Sequence, residues 1–453
     1  MATIMKPKYI ILYLITAFTV SILMPSCVDD GFDTPDYTVS GEDVLISVPV
    51  MLPKMDKKTR ADLSETSLNQ VNNLWIRTYS SVTGLPTSDW KKLTDVNTVD
   101  SEVPHPVTLN TKSGSSYIVG VANVEENEGV LKDSPNAEPQ PLSELLDNAD
   151  TWDDFLNIAV VSPATMAGVR APNVPLAMAG CFTNISVKGE HPTNLADWQS
   201  NNFTPYFIPA QKGTVPMTDG AIHLRRLVSH LTFNVIPGRV KDDGPDVDVS
   251  VNSYEIVNAP KYSWLYERSQ TVRGGDGANF GDNATSQDNA AQYYAEGILF
   301  SSQYVSENKV TVEGTEKNCS TFDFWQAENK HEGTSTTYFE RDKVDASNKT
   351  LFTSLTGQTW TPNNEASYVL ISCTVNYKQQ ISVNEQGEIV KNDGTEVYRS
   401  GNAVYMIHLG YIGDVAEDAK SKDFNCYRNV DYTYNITVNG LNDILSLIHI
   451  SEP

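Results

Sequence analysis

Positive charge is what this chain is short of. Thirty-three lysines and arginines stand against 57 acids in 453 residues, a formal net charge of −24. A phosphate backbone would be repelled, so a nucleic-acid surface is excluded, and the acidic balance suits a solvated protein outside the cell. Histidine is scarce too, and His105, His191, His223, His230, His331 and His408 are scattered. There is no HExxH, no GxSxG elbow and no phosphate loop, so the chain does not read as an enzyme. With 57 carboxylates, neighbours in sequence prove nothing about an acid–base pair. Asp242-Asp243-Gly244-Pro245-Asp246-Val247-Asp248 lacks the spacing and distal glutamate of a calcium loop and reads as an acidic turn. Five cysteines, with no CxxC or CxH, exclude a zinc site, and no metal or cofactor is expected. Long apolar runs are missing after residue 24. The 40% hydrophobic content nonetheless excludes wholesale disorder, and the length allows two or three domains.

The one long apolar run comes first. Lys6 and Lys8 precede Tyr9 to Met24, and Ser26-Cys27 follows, with acids rather than a basic flank beyond. Residues 1–26 therefore read as an export signal, and Cys27 stands where a lipobox places its acylated cysteine. Several acyl chains on Cys27 would hold the protein on a membrane leaflet, since one chain alone is marginal. The other four cysteines, Cys181, Cys319, Cys373 and Cys426, read as small buried hydrophobes ahead of disulfide partners.

After the tether comes one alternating strand. Val44, Ile46, Val48 and Val50 interleave with Leu45, Ser47, Pro49 and Met51. Seven residues span about 23 Å. Pro49 has no N–H to donate, which assigns the strand to a sheet edge. Burying its four apolar side chains is worth on the order of 6–12 kcal/mol gross. That is comparable to the ~5–15 kcal/mol net stability of a domain, so a groove left by this strand would demand refilling. The basic stretch Lys54, Lys57, Lys58, Arg60 follows, and the bond between Arg60 and Ala61 suits an arginine-specific protease.

Beyond residue 73 the chain reads as short strands and turns. Strands are expected at 74–79, 107–109, 117–122, 181–183, 222–235, 253–257, 308–312, 368–375, 403–409 and 432–438. Two short helices are expected after Pro141 and Thr151, each opening on an apolar set at helical spacing. A Gly/Pro/Thr loop at 213–224 marks a domain joint, and the Gly/Asn/Asp-rich stretch 274–291 is an insertion. Tyr262, Trp264 and Tyr266 alternate at strand spacing and read as packing rather than as a sugar platform. The pattern is that of β-sandwiches, not of an α/β enzyme.

These pieces together resemble the fimbrillin family of the Bacteroidales, the subunits of type V pili. The resemblance is carried by the lipobox, Thr59-Arg60-Ala61, the stretch 117–123, Pro175-Leu176-Ala177-Met178-Ala179-Gly180 and Leu224-Arg225-Arg226-Leu227-Val228. The most specific part is the run 423–440. The acids after Cys27 are similar to the surface-export tether of Bacteroidales lipoproteins. The resemblance implies an all-β chain of two transthyretin-like β-sandwich domains with short helical insertions. Its expected parts are a signal peptide (1–26), a lipidated tether with a removable first strand (27–60), and two sandwiches (61–220 and 221–444). It implies delivery to the outer face of the outer membrane through a palmitoylated Cys27, cleavage after Arg60, and loss of the strand bearing Val44, Ile46, Val48 and Val50. Partners would be other fimbrillin subunits that refill the groove by strand exchange, in a fimbrium with an unidentified host or bacterial ligand.

The terminal nine residues, Leu445 to Pro453, look like a translated sequencing adapter and are expected to carry no biology. Within the pilus reading, Arg60 disfavours an anchor, and length with the 274–291 insertion favours a tip or accessory subunit over a shaft subunit. A surface glycan-binding lipoprotein of a polysaccharide-uptake system is the alternative; it would need solvent-facing aromatics and has no use for Arg60. A surface hydrolase, the third class, would need a convergent carboxylate pair.

Overall fold

The run Leu74 to Tyr79 offers no continuous polar face to water, and its strand, Asn73–Ser80, is covered on both sides. Leu74 and Ile76 enter one core and Trp75 and Tyr79 another, as period-two alternation requires. The computed structural model describes residues 41–52, 70–96, 104–162, 175–184, 205–267, 293–330, 366–410 and 425–451, less a few positions inside these ranges. Cys27, Lys54, Lys57, Lys58, Arg60, Ala61 and the 274–291 insertion lie outside the described residues.

Around Asn73–Ser80 the first half stacks in three layers. The central sheet also holds Lys91–Thr94, Gly114–Ala122 and the start of Met178–Asn184, which pairs with Arg225–Arg226. An outer sheet packs on one face across Leu74, Ile76 and Ile118. It comprises His105–Lys112, Asp43–Met51, Thr214–Pro216, Gly220–His223 and the far end of Met178–Asn184. Met178–Asn184 thus belongs to both sheets. Gly180 lies where it passes between them, and a Cβ there would strike the His223 carbonyl. The third layer packs Trp75, Tyr79 and Tyr117 against two short helices. Pro141 precedes helix Leu142–Asp147, and Thr151 closes a capping box with Asp154 ahead of helix Trp152–Leu156, both where expected. Trp152 stacks on Tyr117 at 4.4 Å and meets Tyr266 edge-on at 5.2 Å.

The second half is a sandwich of two sheets. One runs Ser306–Val312, Thr315–Ala327, Val228–Pro237, Asp431–Gly440 and Asp443–Ser451; the other Ile298–Ser301, Val247–Val257, Tyr368–Val383 and Ile389–His408. Their facing residues form one core in which Phe233 stacks between Phe322 (5.0 Å) and Tyr434 (4.6 Å). The strand Asp431–Gly440 alternates cleanly: Tyr432, Tyr434, Ile436 and Val438 are buried while their neighbours are half-buried. The chain among the described residues is nearly all β, as the sequence indicates.

Several elements differ from expectation. The stretch 222–235 breaks into Gly220–His223, Arg225–Arg226 and Val228–Pro237, because its ends serve different sheets. The expected joint at 220/221 thus falls inside a strand paired with the first half. Tyr262–Trp264 returns to the first half and pairs with Ile158–Val161. Trp264 and Tyr266 are buried there and Tyr262 half-buried, as packing residues. Cys181, Cys319, Cys373 and Cys426 are buried thiols, not joined in disulfides. Residues 445–451 extend the sheet within Asp443–Ser451, antiparallel to Asp431–Gly440.

Candidate functional site: the seat of the first strand

The sequence singles out Val44, Ile46, Val48 and Val50, and the structure brings all four together in one core. Val44 is 5% exposed and the others 0%, whereas Leu45, Ser47, Pro49 and Met51 are half-buried. The four touch a core that includes Val107 and Leu109 from one neighbour, Val215 and Ile222 from the other, and Leu74 and Ile118 from the facing sheet. The strand is held by main-chain pairing on both flanks. On one side it runs antiparallel to His105–Lys112, from Asp43 opposite Lys112 to Val50 opposite His105. On the other it runs parallel to Thr214–Pro216, at Leu45 to Ser47, and to Gly220–His223, at Val50 and Met51.

The strand is therefore internal, which corrects the edge position assigned from Pro49. The reason is register. Ser113 donates its N–H to the Glu42 carbonyl at 2.9 Å, so even-numbered residues of the first strand turn their main-chain groups towards His105–Lys112. Odd-numbered residues face the parallel flank, where Met217 donates to Ser47 at 3.0 Å and Leu224 to Met51 at 2.9 Å. Pro49 falls between these two bonds, at the break between Thr214–Pro216 and Gly220–His223. No ladder donor is needed there. Opposite Pro49 stands Pro106, whose missing N–H likewise faces away from the pair.

His105–Lys112 depends on this arrangement. Among the described residues its ladder runs to the first strand alone. Besides the burial of Val107 and Leu109, a hydroxyl trio holds it: Thr111 lies 2.6 Å from Thr78 and 3.0 Å from Thr87, and Thr87 bonds Thr78 at 2.6 Å. Lys112 also pairs with Asp43 at 2.6 Å, but that carboxylate is exposed and the pair worth little. Taking the first strand away would leave an edge strand without its ladder, and a trough floored by Leu74, Ile76 and Ile118.

No protein-family model and no curated protein matches the chain. Among solved structures, the tip fimbrial protein Mfa3 of Porphyromonas gingivalis aligns at 13% identity and a TM-score of 0.46, covering 91% of this chain and 100% of that one. A fimbrilin of the same organism aligns at 11% identity and a TM-score of 0.38, covering 92% and 98%. The fimbrial anchor protein Mfa2 aligns at 9% and 0.32, covering 91% and 98%. The chain is similar to fimbrial proteins.

The walls of the seat were only partly visible in the sequence. Val107-Thr108-Leu109 reads as a strand, but nothing in it names its partner. Thr214–Pro216 and Gly220–His223 lie in the loop read as a joint, because three- and four-residue strands carry no periodicity to detect. Parallel pairing at more than 160 residues' separation leaves no local signal either.

Proposed function

We propose that the protein is a structural and adhesive pilus subunit, not an enzyme. In this reading it is exported as a lipoprotein acylated on Cys27, held at the outer membrane, and cut between Arg60 and Ala61. The cut frees the segment carrying Asp43–Met51, and a strand from another subunit takes its seat. One observation carries the reading: the first strand is an N-terminal segment seated in the middle of a sheet, with four consecutive inward side chains buried and both edges paired. A cleavable strand in that position is both a chaperone for the groove and a plug for it. Main-chain pairing would supply the affinity for its replacement, and the spacing of the four pockets its register. Length and the 274–291 insertion favour a tip or accessory position. The burial of Trp264 and Tyr266 takes that aromatic run out of any sugar platform of a glycan-binding lipoprotein.

The test is the N-terminus of protein recovered from surface pili and from outer membrane. A lipid-free chain starting at Ala61 in the pilus fraction is the expected result. An acylated Cys27 form as the sole species in both fractions would overturn the assembly reading.

A further inference from the structure

The two halves have separate apolar cores. The first half's two cores draw on residues 44 to 227 together with Leu265 and Tyr266, the second half's on residues 231 to 441. Among the described buried residues the apolar cluster that mixes them is the trio Leu176, Val228 and Trp325. A small contact of that kind ordinarily leaves two bodies free to move.

The chain crosses this joint at Leu227 and at Lys261, Ala327 donates across it to Ser162 at 3.1 Å, and ions add the rest. Lys330, which follows the second-half strand Thr315–Ala327, has a fully buried side chain that lies 3.1 Å from Glu267 and 3.0 Å from Glu328. Glu267 continues the segment that returned to the first half, and Arg225 of the first half grips it at 2.6 Å. Arg428, on the approach to the strand Asp431–Gly440, lies 3.0 Å from Glu328 and donates across the joint to the Trp264 carbonyl at 2.8 Å. Nearby, Arg226 donates to Asn429 at 3.1 Å, and the Asn429 N–H returns to Val228 at 2.8 Å. Every one of these bonds has a direction. Burial alone would raise the Glu267 carboxyl, but Lys330, Arg225 and Arg428 outweigh it and hold it below the usual carboxylate range.

We propose that this buried ion cluster is a latch that fixes the angle between the two halves and passes tension from one to the other. Hydrophobic contacts slide; a lysine held between two buried carboxylates, with an arginine bonded to carbonyls across the joint, has one geometry and loses it abruptly. The latch is a property of the single chain. It rests on the pilus reading only for the origin of the load, since a strand seated in the first-half sheet would pull on the second half through this joint.

The experiment is single-molecule stretching of the full chain in a Cys27→Ser background. Handles go on Val82→Cys and Leu299→Cys, exposed positions in the first and second halves, while the four native thiols are buried. The parent should show as its first event the unfolding of one half, with a long gain in extension. Glu328→Gln should add an earlier, short step at lower force, the parting of two folded halves. Glu267→Gln, at the more accessible end of the cluster, should do the same and serves if Glu328→Gln fails to fold. Lys92→Ala, which breaks an exposed ion pair inside the first half, should leave the traces unchanged. A short first step in the parent, or identical traces for parent and cluster variants, would overturn the proposal. Failure of assembly alone would appear as an absence of Ala61 chains in pili and leave these traces as they are.

Discussion

Truncating Ile46 to alanine tests the first strand's seat most directly. Ile46 is fully buried, opposite Leu109 on one flank and Val215 on the other. An isoleucine-to-alanine change in a core costs about 2–5 kcal/mol. Taking about 3 kcal/mol and one decade per 1.4 kcal/mol, the equilibrium for unseating the strand should move by about a hundredfold. Because the strand can leave without the second sandwich unfolding, the change should appear as local opening. The reporters are the amides of Val107, Leu109 and Thr111, which the register turns towards the first strand. Their hydrogen exchange should accelerate by about two decades in Ile46→Ala, while amides of Leu231 to Val235 in the other half hold their protection. Ser47→Ala, one residue along on the half-buried face, is the control and should change little. Equal acceleration in both variants, or loss of protection in Leu231 to Val235 to the same degree, would refute the argument that the strand is an independent unit.

Three further outcomes are expected. Glu267 has a folded-state carboxyl held below its ordinary range, so the stability it contributes is present above the unfolded carboxylate range and lost as pH falls below it. The difference in urea midpoint between the parent and Glu267→Gln should therefore stay constant from about pH 7 to 5 and shrink only in stronger acid. Burial pushes the Cys181 thiol up to about 11 and the Cys373 thiol up to about 12, so neither should take up iodoacetamide at pH 8 until urea is added, by intact mass. Gly180→Ala sets a methyl against the His223 carbonyl where one strand serves two sheets; it should lower the urea midpoint, whereas Gly213→Ala, in open space with a φ of +86°, should cost only about 1 kcal/mol.

What the sequence revealed and what it hid divide along physical lines. Val44 to Val50 and Tyr432 to Val438 were legible because one side of each strand is buried and the other is not, so the period shows in the residue types. Pro141 and Thr151 marked their helices through backbone chemistry that acts within a few residues. Pro49 misled, since a missing donor shows that no ladder bond forms there but not whether the gap lies at an edge or opposite a break. Thr315–Ala327 escaped notice because Cys319, Ser320, Thr321 and Phe322 are consecutive buried residues without alternation. The ion cluster could not be read at all. Arg225, Glu267, Glu328, Lys330 and Arg428 are spread over 200 positions of an acidic chain, and only the fold makes them neighbours.

The pairing of the first strand also dictates a timetable. Its antiparallel neighbour begins at His105 and its parallel neighbours at Thr214 and Gly220, so among the described residues no pairing partner is made before residue 105 and the seat is complete only after 223. Contacts so distant in sequence form slowly, because a long loop must close before any bond is gained. The earliest of the described strands to leave the ribosome is thus among the last to find its place. Until then Val44, Ile46, Val48 and Val50 travel as a sticky ribbon that another sheet could capture.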